Sequence, residues 1–397
     1  MQSNPRRIAV VSSSRADYGH LYWILRELRE ADDVDLRIIA TGAHLAPTFG
    51  HTVDQFRDHG FAVEASPEVL LDSDTDVGMA KTIGLSMLSL ADLLGSLRPD
   101  LLLLIADRYE MLAPAATALA LRIPMAHIEG GEISEGAIDD AVRNALTKMA
   151  HLHFVSTHQA RRRVLALGEE AWRVTRAGAP SLDHLRRSQL PDTGTLERVL
   201  GMPLDPAPLV VAHHPVTLDT DPAAESRELF AALEQVDGPV IFNFPNADTG
   251  HQAIITQARD FCRRHAGARL FTNLDLFEFW SLLRHARLMI GNSSSGIMET
   301  PSLALPCVNI GIRQRGRERA ANIVDTPARK DAIVEAIGRA DSTDFRAGLA
   351  DMQNPYGDGD AATTIARTLR ETPLGEALLI KRALPLTDTD PPAFVHT

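Results

Sequence analysis

Residues 99–110 read PDLLLLIADRYE. The run 101–106 is apolar at every position, with no alternation of inward and outward side chains. A strand of this kind needs cover on both faces, as in a parallel sheet flanked by helices. It stops at Asp107 and Arg108, so a carboxylate and a guanidinium follow directly on a buried strand. On either side, residues 84–97 and 111–120 carry apolar side chains at helical spacing. Helix, strand and helix in that order form the repeating unit of an α/β fold.

Outward from this unit the pattern recurs. The first half predicts strands at residues 8–12, 36–41, 100–106, 124–128 and 152–156, with a further helix at 21–30. The second half predicts strands at 209–213, 240–244, 269–272, 288–291 and 307–310, separated by helices at 226–235, 252–265 and 276–284. Between them residues 188–208, SQLPDTGTLERVLGMPLDPAP, are rich in proline and turn formers. The expected fold is therefore α/β: two Rossmann-like doubly wound domains, residues 1–180 and 190–355, hinged near 178–192. Ligands of such sheets bind in the crevice at the carboxyl ends of the strands, here an interdomain cleft. The segment 376–397, with its PLTDTDPPAF, is expected to be a loose tail.

Composition narrows the function. The 397 residues carry 52 acidic and 40 basic side chains, a formal charge of −12, which disfavours a nucleic-acid partner. At 45% apolar and 23% charged residues the chain is globular rather than disordered. Cys262 and Cys307 lie in apolar surroundings and read as two buried thiols without metal-type spacing. No signal-peptide core follows residues 1–7, and the run 101–106 falls far short of a bilayer span of about 20 residues, so no membrane partner and a cytoplasmic location are expected.

The polar residues that follow the strands carry the chemistry. SSSRADYGHL (12–21) opens a helix after a small-residue turn; it is either a phosphate site reinforced by Arg15 or an ordinary cap. Asp107 and Arg108 are either a catalytic acid/base with a substrate-gripping cation or a structural ion pair. In HIEGGEISEGAIDDAVRNALTKMAHLHF (127–154), Glu129, Glu132, Asp139 and Asp140 follow one strand closely. Crowded carboxylates raise one another's pKa, so that one can hold a proton while another accepts one. Asp139, Arg143 and Thr147 share a helix face by their four-residue steps, while Asp140 and Glu135 fit capping roles. VVAHHPVT (210–217) offers a histidine to a diphosphate or to proton transfer, against a plain structural reading, and NFPNADTGH (243–251) adds Asn246 and Asp248. LMIGNSSSGIMETPSLALP (288–306) places Ser293, Ser294, Ser295 and Gly296 at a helix start, where open N–H groups can anchor a diphosphate, with Glu299 placed for ribose hydroxyls and Arg313 downstream. No metal set is evident, since His151 and His153 alternate as on a strand, and the Gly-x-Ser-x-Gly of a nucleophile elbow is missing.

Together with TGAHLAPTFGHT (41–52), these motifs closely resemble the hydrolysing UDP-N-acetylglucosamine 2-epimerase family, in the bacterial form that serves sialic-acid-like and legionaminic-acid sugars, over roughly residues 7–370. The resemblance implies the glycosyltransferase-B type architecture, with a helix at about 356–374 crossing back to the first domain. It implies nucleotide and diphosphate contacts from Arg15, Ala16, His214, Asn246, Leu274, Ser293, Ser294, Glu299 and Arg313, with Arg108 on the sugar side. It implies catalytic Asp107, Glu129 and Asp139, with His44 nearby in the cleft and His214 assisting. UDP would leave carbon 1 as carbon 2 loses its proton, and water would add to the glycal to release N-acetylmannosamine. No cofactor or metal is implied, and a homo-oligomer, dimer or tetramer, is. Asn144 departs from an expected histidine, and the loop ISEGAIDD is one residue longer than in animal-type relatives. It reads more like bacterial relatives, some of which act on a 2,4-diacetamido-2,4,6-trideoxy sugar. A non-hydrolysing epimerase is the rival chemistry, although Ala16-Asp17-Tyr18 replaces its usual Pro-Glu pair. The same scaffold would also suit a glycosyltransferase, or a nucleotide-sugar sensor without activity.

Overall fold

A computed structural model describes residues 4–71, 73–221 and 223–383. Two parallel sheets organise the chain. The first comprises β1 (Arg6–Ser12), β2 (Val34–Ala40), β3 (Val63–Ala65), β4 (Leu101–Ile105), β5 (Met125–Ile128), β6 (Leu152–Val155) and β7 (Val174–Arg176), in spatial order β3-β2-β1-β4-β5-β6-β7. The second comprises β8 (Leu209–Ala212), β9 (Val240–Asn243), β10 (Ala268–Phe271), β11 (Leu288–Gly291), β12 (Cys307–Ile310) and β13 (Ile323–Thr326), in order β10-β9-β8-β11-β12-β13. Each order reverses beside the first strand of its sheet, at β1/β4 and β8/β11, which opens a crevice above the strand ends. These are the two α/β domains that the apolar runs predict.

The central strands are apolar because helices cover both sheet faces: β4, β5, β8, β11 and β12 are buried at every residue. The sequence reading misses β3, β7 and β13. All three lie at sheet edges and are three or four residues long with exposed positions, so they lack the continuous apolar signal.

Helix Ala361–Glu371 returns to the first domain, packing Ile365, Ala366 and Leu369 into the core formed by β1, β4 and helix Arg15–Arg29. Asp183, on the segment that leaves the first sheet, fixes its start by accepting from the N–H groups of Ala361 and Ala362, each at 2.9 Å. The expected loose tail is corrected for residues 376–383. Arg173 donates to the carbonyls of Ala377, Leu378 and Ile380 at 2.8–3.0 Å, and Lys381 lies 2.7 Å from the buried Glu169, so this stretch is docked; residues 384–397 lie outside the described residues. Both cysteines are free, but only Cys307 is buried; Cys262 is half-buried.

Candidate active site

Strand ends of both sheets line one partly open cleft, about 1200 Å³ with the open solvent at its mouth included. Arg15 and Ala16 reach it after β1, Asp107 and Arg108 after β4, and Glu129 directly after β5. Asp139 lines it from the start of helix Asp139–Met149. The second domain supplies His214, Asn246, Leu274, Ser293, Ser294, Glu299 and Arg313.

Two of the carboxylates are aimed by unusual backbone. Glu129 has φ 66° and Ala106, just before Asp107, has φ 58°. Left-handed backbone at a non-glycine residue costs about 1–2 kcal/mol and persists only where neighbours hold it. At Glu129 the holding contacts are its N–H donated to Phe154 O at 2.7 Å and an ion pair between its Oε1 and His20 Nδ1 at 2.8 Å.

Of the two readings of Asp107 and Arg108, the structural ion pair between them does not form. Arg108 Nη2 instead meets Glu110 Oε1 at 2.7 Å and Asp248 Oδ1 at 3.6 Å. Asp107 pairs with the buried Arg143, and with Arg317 Nη2 at 3.8 Å. Arg143 also donates to Glu132 O at 2.9 Å and Ser134 Oγ at 3.0 Å, which fixes the loop before its own helix. Asp140 supports the same loop by accepting from the Ser134 N–H at 2.9 Å.

Charge separates the three acids. Burial raises the pKa of each, but Arg143, Arg317 and Arg313 bring Asp107 below its usual value, and His20 and Arg317 do so for Glu129. Asp139 is pushed up by burial and by the charge of Asp107, against which Arg313 only partly compensates. Two carboxylates are thus held ionised beside one that retains a proton more readily, the division that acid/base chemistry needs.

Polar bonds cross the cleft. Arg15 donates to Thr272 O at 2.9 Å and Asn243 Oδ1 at 3.0 Å, and Arg313 Nη2 donates to Asp139 Oδ2 at 2.9 Å. The helix behind Arg15 starts with a capping box built by Ser14 and Asp17, so the turn is an ordinary cap whose arginine faces the cleft. The imidazole of His214 is neutral, its pKa pushed well down by burial and Arg313. Its Nδ1 accepts from the Asn246 N–H at 3.3 Å, which leaves the proton on Nε2 as a donor.

Two expected residues lie elsewhere. His44 does not line the cleft: it is wholly buried, with Nε2 2.8 Å from Ser12 Oγ and Nδ1 2.7 Å from Thr52 Oγ1. Burial, and then Arg108, lower its pKa to about 3, so it braces the end of β1 as a neutral ring. Gly296 faces β12, where an added Cβ would sit 2.6 Å from Cys307 Sγ; it is glycine for close packing. The helix after the serines is a single turn, Ser295–Met298, so its dipole adds little to the local N–H and hydroxyl groups.

His20, Arg317, Asn292 and the apolar wall of Leu276 and Phe279 were missed. Asn292 is buried and joins three loops: its Oδ1 accepts from the His214 N–H at 2.7 Å, and its carbonyl accepts from Arg313 at 3.3 Å and Gln314 at 2.9 Å. Its position directly after a strand-ending glycine was the available signal. Arg317 sits one helical turn beyond Arg313 in the sequence but gave no pattern of its own. Among the described residues no group of three or more His, Cys, Asp or Glu could hold a metal ion.

The sequence profile of the family described as UDP-N-acetylglucosamine 2-epimerase matches residues 26–370. The chain is 36% identical to a GDP/UDP-N,N'-diacetylbacillosamine 2-epimerase (hydrolyzing) of Campylobacter jejuni, over 86% of this chain and 89% of that one. It is 33% identical to the UDP-N,N'-diacetylbacillosamine 2-epimerase (hydrolyzing) of Legionella pneumophila, over 95% and 98%. Its fold matches the crystal structure of UDP-GlcNAc 2-epimerase from Neisseria meningitidis bound to UDP-GlcNAc with a TM-score of 0.77 at 17% identity, covering 92% of this chain and 100% of that one.

Proposed function

The chain belongs to the UDP-N-acetylglucosamine 2-epimerase family, and from that premise we propose that it is a hydrolysing 2-epimerase converting a UDP-linked 2-acetamido sugar and water to UDP and the free C2-epimer. The observation that carries this reading is the division of the cleft acids: Glu129 and Asp107 kept ionised, Asp139 inclined to keep its proton. Glu129 takes the proton from carbon 2 as the bond between carbon 1 and the diphosphate oxygen breaks. His214 Nε2–H, Arg313 and the Ser293–Ser294 turn face the charge growing on the departing diphosphate, where fixed donors act most strongly. Water then adds its oxygen to carbon 1 of the glycal as Asp139 gives its proton to carbon 2 on the opposite face; the proton that the water loses restores Asp139, and Glu129 releases the one it took to solvent. Leu274, Leu276 and Phe279 offer an apolar wall to the base, and Glu299 an acceptor to ribose hydroxyls.

The UDP derivative of 2,4-diacetamido-2,4,6-trideoxyglucose is the first substrate to test, because both similar hydrolysing relatives named above carry that activity in their names. UDP-N-acetylglucosamine, giving N-acetylmannosamine, is the second reading, supported by the family description. Each donor is incubated with the protein in heavy water and the products are read by NMR. Free UDP together with an unlinked, C2-deuterated epimer is expected. An epimer still attached to UDP would make the enzyme non-hydrolysing, and a product without deuterium at carbon 2 would make it a transferase or simple hydrolase.

A homo-oligomer is part of the same reading. Val77, Leu85, Met87 and Leu88 of helix Asp76–Leu97 are exposed, with Leu119 of helix Leu112–Leu121 also exposed, an apolar surface of the kind that self-association covers.

A further inference from the structure

His20 lies on helix Arg15–Arg29 and lines the cleft, yet the chemistry above gives it no part. Its Nδ1 is 2.8 Å from Glu129 Oε1, and its Nε2 is 3.9 Å from Glu299 Oε1. The ring therefore faces a carboxylate from each domain, one through each nitrogen. At 3.9 Å the contact with Glu299 is electrostatic rather than a hydrogen bond, and only the charged imidazolium attracts both carboxylates. A third carboxylate, Asp17, sits on the same helix, and the nearby His184 is neutral, its pKa lowered to about 4 by burial. Beyond these, Arg317 and Asp107 act on Glu129 with opposite signs.

We propose that His20 is a positioning residue for the reaction: as an imidazolium it clamps Glu129 of the first domain and Glu299 of the second, and so couples the aim and charge of the carbon-2 base to the seating of the ribose. The inference rests on the reading of Glu129 and Glu299 given above. The clamp explains how Glu129 keeps its left-handed backbone at the end of a buried strand. It also explains how Glu129 stays ionised in a buried site, where an unpaired carboxylate would take up a proton. Burial alone would discharge His20, but Glu129, then Glu299 and Asp17, raise its pKa to about 9. The clamp is therefore complete at neutral pH and is lost as pH climbs through that value.

His20→Gln tests the coupling and His20→Lys tests the charge, both in the full chain with whichever UDP-sugar the wild type turns over. We expect His20→Gln to lower kcat about ten-fold or more, to move the acidic limb of the kcat–pH profile upward by about one unit, and to weaken UDP binding several-fold; His20→Lys should restore most of all three. A purely structural histidine would lower stability and leave the acidic limb in place. That outcome, kcat within about two-fold of wild type, or failure of lysine to rescue a folded variant, overturns the proposal. A second measurement needs no turnover: the ring carbon resonance of His20 should report an imidazolium to about pH 9 in the wild type and titrate lower in Glu129→Gln. An ordinary midpoint in both proteins would remove the clamp even if the epimerase reading stands. Absence of turnover beside a high His20 midpoint would instead count against the epimerase reading alone.

Discussion

Replacing Glu129 by glutamine preserves its volume and removes its charge, and Asp139→Asn preserves volume and removes the proton that this acid would deliver. Each should lower kcat by about 10²–10⁴-fold, the range of general acid–base catalysis, while UDP binds within a few-fold of wild type. Product NMR and calorimetry with UDP check the two halves, and full activity in either variant would refute the assigned role. The pair should also bracket the pH profile. The rate should fall at low pH, where Glu129 gains a proton, and at high pH, where Asp139 loses its own. Which acid occupied which state could not be read along the chain. All three were visible after their strands, but their charges depend on Arg143, Arg317 and His20, which the fold brings to them.

Among the elements, the serine turn and the docked C-terminal segment make separate predictions. Gly296→Ala puts a Cβ against Cys307 Sγ and should cost about 1–3 kcal/mol by overpacking. In Gly296→Ala/Cys307→Ala much of that cost should return, a coupling that urea denaturation measures; an additive double variant would dismiss the packing account. Glu169, fully buried, meets Lys148 and Lys381 at 2.7 Å and His153 at 3.0 Å. Burial raises its pKa, but these partners outweigh that and bring it down to about 2. Its contribution is present above the unfolded carboxylate value near 4 and is lost as pH falls toward 2. The gap in Tm between wild type and Glu169→Gln should therefore be wide at pH 7 and narrow near pH 3. A gap independent of pH would mean that the pairing carries none of it. The segment 376–383 looked unstructured in the sequence because its anchors, Arg173 and Glu169, lie some two hundred positions away.

For the molecule as a whole, helix Asp76–Leu97 sets the question of assembly. At 22 residues it is long and apolar enough to cross a membrane by length and composition, yet Leu90 and Leu94 are buried in the first domain's core. Its exposed side centres on Leu88, 72% accessible. Leu88→Glu should reduce the mass found by light scattering from an oligomer to a monomer and leave the cleft's affinity for UDP unchanged. A wild type that is already monomeric, or that sediments with lipid vesicles, would give this face to another occupant. The two sheets are held closed by Arg15 and Arg313, each reaching across to the other domain.

From the sequence alone came the two rounds of parallel strand and helix, and the identity of most cleft residues. Both follow from chain-local facts: an unbroken apolar run needs cover on both faces, and whatever follows such a strand emerges at its carboxyl end. Tertiary structure alone decided which cation each acid meets, that His44 and Gly296 turn away from the cleft, and that His20 stands between two domains. The reason is range: Arg313 and Asp139 are 174 positions apart, and the charge state of a buried group is set by neighbours that only folding assembles.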